Sequence, residues 1–250
     1  MNRTYRFGVS VVALLVAWVG LSMVDPELFP APWAVAVLAV ELTLYGDVGG
    51  QSALYHVGIT FGRVLLATGI ALALAVGIGI AMRVDEDIAR VFETWLPIWM
   101  TPPDVVVILI VMVLLGFNTV AIVAAVSFVC TPFALVSIWE GMQDLDPNLV
   151  EMAHTFDADR ALLWRSVYLP HLTSYVFASL RNLFGMTWKV AVIGEVFGIT
   201  NGVGARIRYW FLQSNVEEVV AYAAMFTVVV LLIEYAVLKP LEQRAFAWRA

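Results

Sequence analysis

The chain has 250 residues, of which 62% are hydrophobic and only 14% charged, and its mean hydropathy is +0.88. A soluble domain of this size carries about a quarter of its residues as charges, so a soluble globular fold is excluded. A net charge of −6 and a pI near 5.0 argue against a nucleic-acid partner. The single cysteine, Cys130, lies in an apolar run; it cannot form an intrachain disulfide and reads as a small core residue.

Apolar runs near the bilayer-spanning length of roughly 20 residues recur along the chain. They are continuous rather than alternating, which disfavours a β-barrel. The expected class is an all-α polytopic membrane protein with about six spans in one transmembrane domain covering 1–250. The first span, 7–24, follows Arg3 and Arg6. No small-x-small cleavage site comes after it, so it reads as an uncleaved helix rather than a secretory signal. The segment 25–58 holds Asp25, Glu27, Glu41 and Asp47 and no basic residue. Within it, LYGDVGGQSALYHV has the glycines and polar groups of a loop entering a short interfacial helix.

The second span, 62–82, is bounded by Arg63 and Arg83. Its Gly69, Gly77 and Gly79 suit ordinary close helix packing. The third, 98–116, starts among Pro97, Pro102, Pro103 and Asp104. Prolines break helices, and in a membrane such breaks survive where neighbouring protein satisfies the freed backbone groups, so this end requires shielding. The fourth, fifth and sixth spans are 119–139, 174–196 and 218–238. Trp33, Trp95, Trp210 and Trp248 fall near span ends, as interfacial anchors do.

Lysine and arginine set the orientation. With the N-terminus in the cytoplasm, the inner segments hold Arg3, Arg6, Arg83, Arg90, Arg160, Arg165, Lys239, Arg244 and Arg249, against Arg206 and Arg208 outside. Both termini and the segment 140–173 are thereby placed in the cytoplasm, with the protein in the cytoplasmic (inner) membrane.

That segment contains a charged island, EMAHTFDADRALLWRSVYLP, residues 151–170. Asp146 is a good N-cap and Pro147 a good first helical residue. Leu149, Met152, Ala153 and Phe156 then fall at i, i+3, i+4 and i+7, one apolar stripe on a short helix. Asp157 breaks the pattern, and Asp159 caps a second helix that Leu169-Pro170 is expected to stop. A merely solvated loop needs neither cap nor stripe nor stop. An amphipathic helix outside the bilayer wants an apolar partner surface, most simply another protein.

Glu151-x-Ala153, Asp157 and Val167-x-Leu169-Pro170 resemble the cytoplasmic signature of ABC-importer permeases. That signature is Glu-Ala-Ala, three residues, Gly, nine residues, Ile-x-Leu-Pro. The spacing matches throughout, while Met152, Asp157 and Val167 depart from the consensus. The segment His56 to Arg63 looks like the opening of the family's second span and Pro102-Pro103 through Gly116-Phe117 like its third. Leu180-Arg181, Gly185, Trp188 and Glu195 look like its fifth. The closest pattern is the branch importing nitrate, sulfonates, taurine and related small organic anions.

The resemblance implies that the island is a coupling helix between spans four and five that docks on a separate ATP-binding subunit. Leu149, Glu151, Met152, Ala153, Phe156, Asp157, Val167, Leu169 and Pro170 then carry ATPase coupling. It also implies a dimer with a second copy, two ATP-binding subunits beneath it and an extracytoplasmic solute-binding protein above. ATP and magnesium belong to the partner subunits, with no cofactor or metal on this chain. At the family glycine position a left-handed backbone is usual, and aspartate tolerates it better than most residues.

Span five carries Arg181, Lys189 and Glu195, and charges inside a bilayer face protein or a water-filled cavity. Arg181, Gly185, Trp188, Val192 and Glu195 form one stripe, with Lys189 beside it near mid-span. Arg181, Gly185, Trp188, Lys189 and Glu195 are translocation-path candidates, and Lys189 suits an anionic solute. Structural ion pairing is the competing expectation, with Arg63 and Glu234 as candidate partners. The same charges suit an ion-coupled secondary transporter, although inverted repeats and paired broken helices are not evident. No P-loop, nucleophile elbow or H-E-x-x-H occurs, and His56, His154 and His171 lack metal-ligand spacing. An enzyme reading has no constellation to rest on.

Overall fold

The computed structural model describes residues 3–157 and 159–240. Every regular element among them is helical: α1 Arg3–Val24, α2 Pro32–Leu44, α3 Ala53–Val84, α4 Glu86–Met100, α5 Asp104–Leu115, α6 Thr119–Gln143, α7 Pro147–Thr155, α8 Arg160–Leu163, α9 Leu169–Gly198, α10 Val203–Leu212 and α11 Val216–Ile233. Two π-helical turns complete them, Trp164–Tyr168 before α9 and Glu234–Leu238 after α11. Arg244, Trp248 and Arg249 lie outside the described residues.

Several helices start on caps written in the sequence. Ser52 accepts from the Tyr55 N–H, Asp85 from the N–H groups of Asp87 and Ile88, and Asn118 from the Ala121 N–H. Each satisfies donors that a helix start otherwise leaves without an intrahelical partner.

Helices α3, α6 and α9 form the centre. Among the described residues, three helices are long and apolar enough to cross a membrane: α3, α6 and Val216–Leu238. In its most apolar stretch α6 is 72% buried, against 33% for α3 and 17% for the last, so α6 is the hub. Small side chains permit this closeness. Ala67, Ala71 and Ala75 of α3 are buried in the same core as Ala121, Ala125, Ile138 and Cys130 of α6. Ser127 and Thr131 return their hydroxyls to carbonyls four residues back, which hides them in the apolar core. Of Gly69, Gly77 and Gly79 in the second span, only Gly79 meets a neighbour, Ile138; Gly69 and Gly77 face open space.

The expected third span, 98–116, is not one helix. The chain breaks at 101–103, and α4 and α5 meet at 96°. Pro102 and Pro103 have no N–H to continue the ladder, and the Pro103 carbonyl instead starts α5 by accepting from Val106. The expected shielding is not met within the subunit: Thr101, Pro102 and Pro103 are exposed, and only the flanks are packed, with Leu96 buried, Trp99 against Phe128 at 4.9 Å and Trp139 of α6 donating to Glu93.

The fifth span also continues past its expected end. After Gly198 a short turn leads into α10, bent by 49° from α9. The segment 25–58 contains a full helix, α2, tied to α1 by the Trp18 indole donating to the Pro30 carbonyl at 2.9 Å. The apolar run of α1 itself is the short Gly8–Val24.

Leu169-Pro170 does not stop the second island helix. α8 runs through the π-turn straight into α9, with the Leu169 N–H reaching back five residues to the Trp164 carbonyl. The widened turn accommodates Pro170, which lacks a donor and would clash in a regular α-turn. The second π-turn stands in the same place before Lys239-Pro240, with Lys239 N–H bonded to the Glu234 carbonyl.

Gly141 faces the Tyr175 ring so closely that any Cβ would enter it. Gly141→Ala is expected to lower the midpoint of thermal unfolding in detergent, by overpacking worth about 1–3 kcal/mol. Gly77→Ala, in open space, is expected to leave it equal or higher, since alanine favours helix over glycine by about 1 kcal/mol.

Candidate functional site

The island is built around a nine-residue helix with two different faces. Asp146 caps α7 by accepting from the Asn148 N–H at 2.9 Å. Val150 and Ala153 turn inward onto Leu145, Leu163 and Tyr168, all buried, with Trp164 and Val167 closing the cluster. Leu149, Met152 and Phe156 turn the other way and are 42%, 52% and 79% exposed. The stripe read from the sequence therefore divides: Ala153 belongs to the inner face and the three large residues to the outer one. Glu151 is exposed beside them, as are Leu169 and Pro170.

The island's base is fastened to the bundle. Arg83, the last basic residue of α3, donates to the Tyr168 hydroxyl at 2.8 Å and lies over its ring at 5.3 Å. His171 bonds the Gly141 carbonyl at 2.9 Å. At the end of α7, Asp157 has φ 51°, in the left-handed region. This is the conformation that favours glycine, and the short polar side chain of aspartate is among the few that enter it at modest cost.

The charges of α9 part company. Arg181 donates to Glu234 of the second π-turn at 2.9 Å. Trp188 sets its ring edge against Phe226 at 5.8 Å, and Val192 joins the apolar cluster of α2, α3, α10 and α11. Glu195 is fully buried and pairs with Arg63 at 2.6 Å. Four of the stripe's five members thus engage other elements, and the fifth, Gly185, is half-buried. Lys189 is exposed, with its ammonium 5.7 Å from the Trp188 ring centre.

Glu195 is the centre of a polar knot. Thr60 donates to its carboxylate at 2.8 Å and the Gly204 N–H at 3.0 Å. Arg63 also donates to the Asn201 carbonyl at 3.0 Å, the Asn201 side-chain oxygen at 2.5 Å and Thr119 at 2.8 Å. The Val203 N–H donates to Thr60 and the Gly202 N–H to the His56 ring. Glu195 thereby caps α10, placing negative charge where the helix dipole wants it. Gly202 has φ 103°, and a side chain there would run into Glu195. Sequence reasoning named Glu195 and Arg63 but missed His56 and Thr60 as their companions. The available signal was spacing: 56, 60 and 63 fall at i, i+4 and i+7, a polar stripe on an apolar helix.

A second knot holds the 45–52 loop. The buried Asp47 accepts from the Tyr222 hydroxyl at 2.8 Å and the Trp210 indole at 3.2 Å, with Arg206 at 3.5 Å. Trp210, expected as an interfacial anchor, is instead a donor to this carboxylate. No cluster of three or more metal-ligating side chains occurs among the described residues.

The model of the binding-protein-dependent transport system inner membrane component family matches residues 57–239, most of the chain. The chain belongs to that family. A putative aliphatic sulfonates transport permease protein, SsuC, of Bacillus subtilis is 24% identical over 232 residues, covering 92% of this chain and 81% of the relative. Among solved structures, an amino acid ABC transporter with histidines superposes with a TM-score of 0.64 at 22% identity, over 77% of this chain and 93% of the other. The inward-facing MetNI methionine ABC transporter gives 0.68 at 14% identity, over 77% and 95%. The chain is the permease subunit of an ABC importer, a transport component embedded in the membrane. Family membership sets aside the ion-coupled secondary transporter.

Removing one partner of the permease's buried pair leaves the other charge bare. Arg63→Ala or Glu195→Ala is each expected to destabilise by about 3–5 kcal/mol. The double variant should lose clearly less than their sum in a double-mutant cycle read by thermal unfolding. At the island turn, Asp157→Gly is expected to keep or raise stability, and Asp157→Val to lower it by about 1–2 kcal/mol.

Proposed function

We propose that the permease is driven through the outer face of α7, which acts as a coupling helix seated in a groove of a separate ATP-binding subunit. The observation that carries this reading is the division of α7. Val150 and Ala153 satisfy the protein's own core, while Leu149, Met152 and Phe156 stand exposed on a nine-residue helix. Burying each of those side chains is worth about 1.5–3 kcal/mol, and their own subunit leaves that gain unclaimed.

The wider assembly follows the family. Two copies pair, with two ATP-binding subunits on the α7 side and a solute-binding protein on the opposite side. The basic residues favour α7 and both termini in the cytoplasm of an inner-membrane protein. The spans are then six: α1, α3, the bent α4–α5 pair, α6, α9 continuing into α10, and α11. Closure of the ATP-binding subunits pushes α7 and rocks the bundle between inward-open and outward-open states, carrying solute inward.

A small anion is the proposed solute class. Support comes from the similarity to a putative aliphatic sulfonate permease and from Lys189, an exposed cation about two-thirds of the way along the 30-residue α9. Lys189 is assigned to the translocation path. Arg181 and Glu195 each have a protein partner and are assigned structural roles.

Glu151→Lys and Phe156→Asp are the tests. Both positions are exposed, so the membrane fold is expected to survive. Each variant should abolish or strongly reduce binding-protein-dependent uptake in proteoliposomes, while ATP hydrolysis becomes independent of transport. Full coupling in both variants would remove α7 from the mechanism.

A further inference from the structure

Between α6 and α9 lies a hollow of about 240 Å³, lined by Phe133, Ser137, Ser179, Asn182, Leu183 and Met186. It sits in the middle third of α9, where a membrane-spanning helix is farthest from either aqueous phase. Its polar lining is unusual for that depth. Ser179 is 1% exposed, and its hydroxyl has no hydrogen-bond partner. Asn182 is exposed. The Ser137 hydroxyl reaches its own helix only at 3.5 Å.

A hydroxyl without a partner and an exposed amide are costly against hydrocarbon, and such groups in membrane helices face protein or a water-filled cavity. Ser179, Asn182, Met186 and Lys189 are spaced by 3, 4 and 3 residues, so they share one face of α9. Arg181 and Glu195 point elsewhere, to Glu234 and Arg63. The face that remains combines neutral donors with one cation, and carries no carboxylate among its lining residues.

We infer that this hollow is a solute-binding station on the translocation path, and that it takes a small organic oxyanion. The oxyanion oxygens accept from the Ser179 and Ser137 hydroxyls and the Asn182 amide, while Lys189, one turn beyond Met186, supplies the positive potential. Neutral donors with a nearby rather than contacting cation suit a station that must release its occupant. The inference rests on the permease reading above and adds residues that the sequence stripe did not include.

The test needs no knowledge of the natural solute. In a Cys130→Ala background, the full chain is co-expressed with its ATP-binding subunit. Single cysteines are placed at Ser137, Ser179 and Asn182, with Val113→Cys, 72% exposed on an apolar face, as the hydrocarbon control. Membrane vesicles are treated with the anionic reagent sulfonatoethyl methanethiosulfonate and, separately, with its trimethylammonium counterpart. Asn182→Cys and Ser137→Cys are expected to react with the anionic reagent faster than the control, and about tenfold faster than with the cationic one. Lys189→Met should abolish that charge preference. Ser179→Cys, a near-isosteric change at a buried position, should be labelled in the same order if more slowly.

Reaction rates equal to the Val113→Cys control at Ser137 and Asn182 would overturn the station, as would a preference for the cationic reagent. Co-purification of the ATP-binding subunit is scored on the same samples. If the subunit binds and the cysteines are inert, the station fails alone. If the subunit fails to bind while the cysteines react, the docking reading fails and the station stands.

Discussion

A carboxylate in hydrocarbon must be neutralised and fully hydrogen-bonded, and at Glu195 that requirement organises one end of this protein. Isolating such a charge costs several kilocalories even after relaxation, so every neighbour is recruited. Arg63 and Thr60 come from α3, Thr119 from the start of α6, and the Gly204 N–H from the start of α10. One side chain on α9 thus fixes the positions of three other helices. The price of that arrangement is paid in side chains: an atom added at Gly202 would occupy the carboxylate's space, and one added at Gly204 would run into the Val192 carbonyl and the Glu195 Cβ. Asp47 does the same work on a smaller scale, joining the 45–52 loop to α10 and α11.

The other end of the bundle is built on the opposite principle. There a short helix is left half-satisfied. Nine residues are too few to hold a helix alone, and α7 depends on its inner face and on the Asp146 cap. What it gains from the subunit is position; what it withholds is an apolar surface. The route from that surface to the membrane is stiff. From α8 through the π-turn the helix runs into α9 without a loop, and α9 then carries Asn182, Lys189 and Glu195 along its length. The Leu145–Leu163–Tyr168 cluster joins α7 to a continuous rod that contains both the polar hollow and the polar knot. The π-turn lets the rod pass Pro170 unbroken.

Much of this was readable in the order of residues. The hydrocarbon runs, the Asp146-Pro147 start, the apolar spacing of 149, 152, 153 and 156, and the need for a left-handed residue at 157 are local properties. Local spacing and backbone sterics decide them, and α7 and Asp157 occupy those conformations. Composition alone set the class, since a chain with so few charges cannot be solvated as a globule. The prolines at 102 and 103 announced a break, although their spacing could not tell that the two halves would meet near a right angle.

What the linear order left open were the partners. Arg181, Lys189 and Glu195 are the same kind of observation in a sequence: a charge in an apolar run. Only the packing of α3 and α11 against α9 gives Arg63 to Glu195 and Glu234 to Arg181, and leaves Lys189 on the face it shares with Ser179 and Asn182. Proline at 170 reads as a stop until the turn before it is seen to widen. Period and propensity act over a few residues and so can be read from the chain. Pairing acts between residues 132 and 53 positions apart, and was decided when the helices packed.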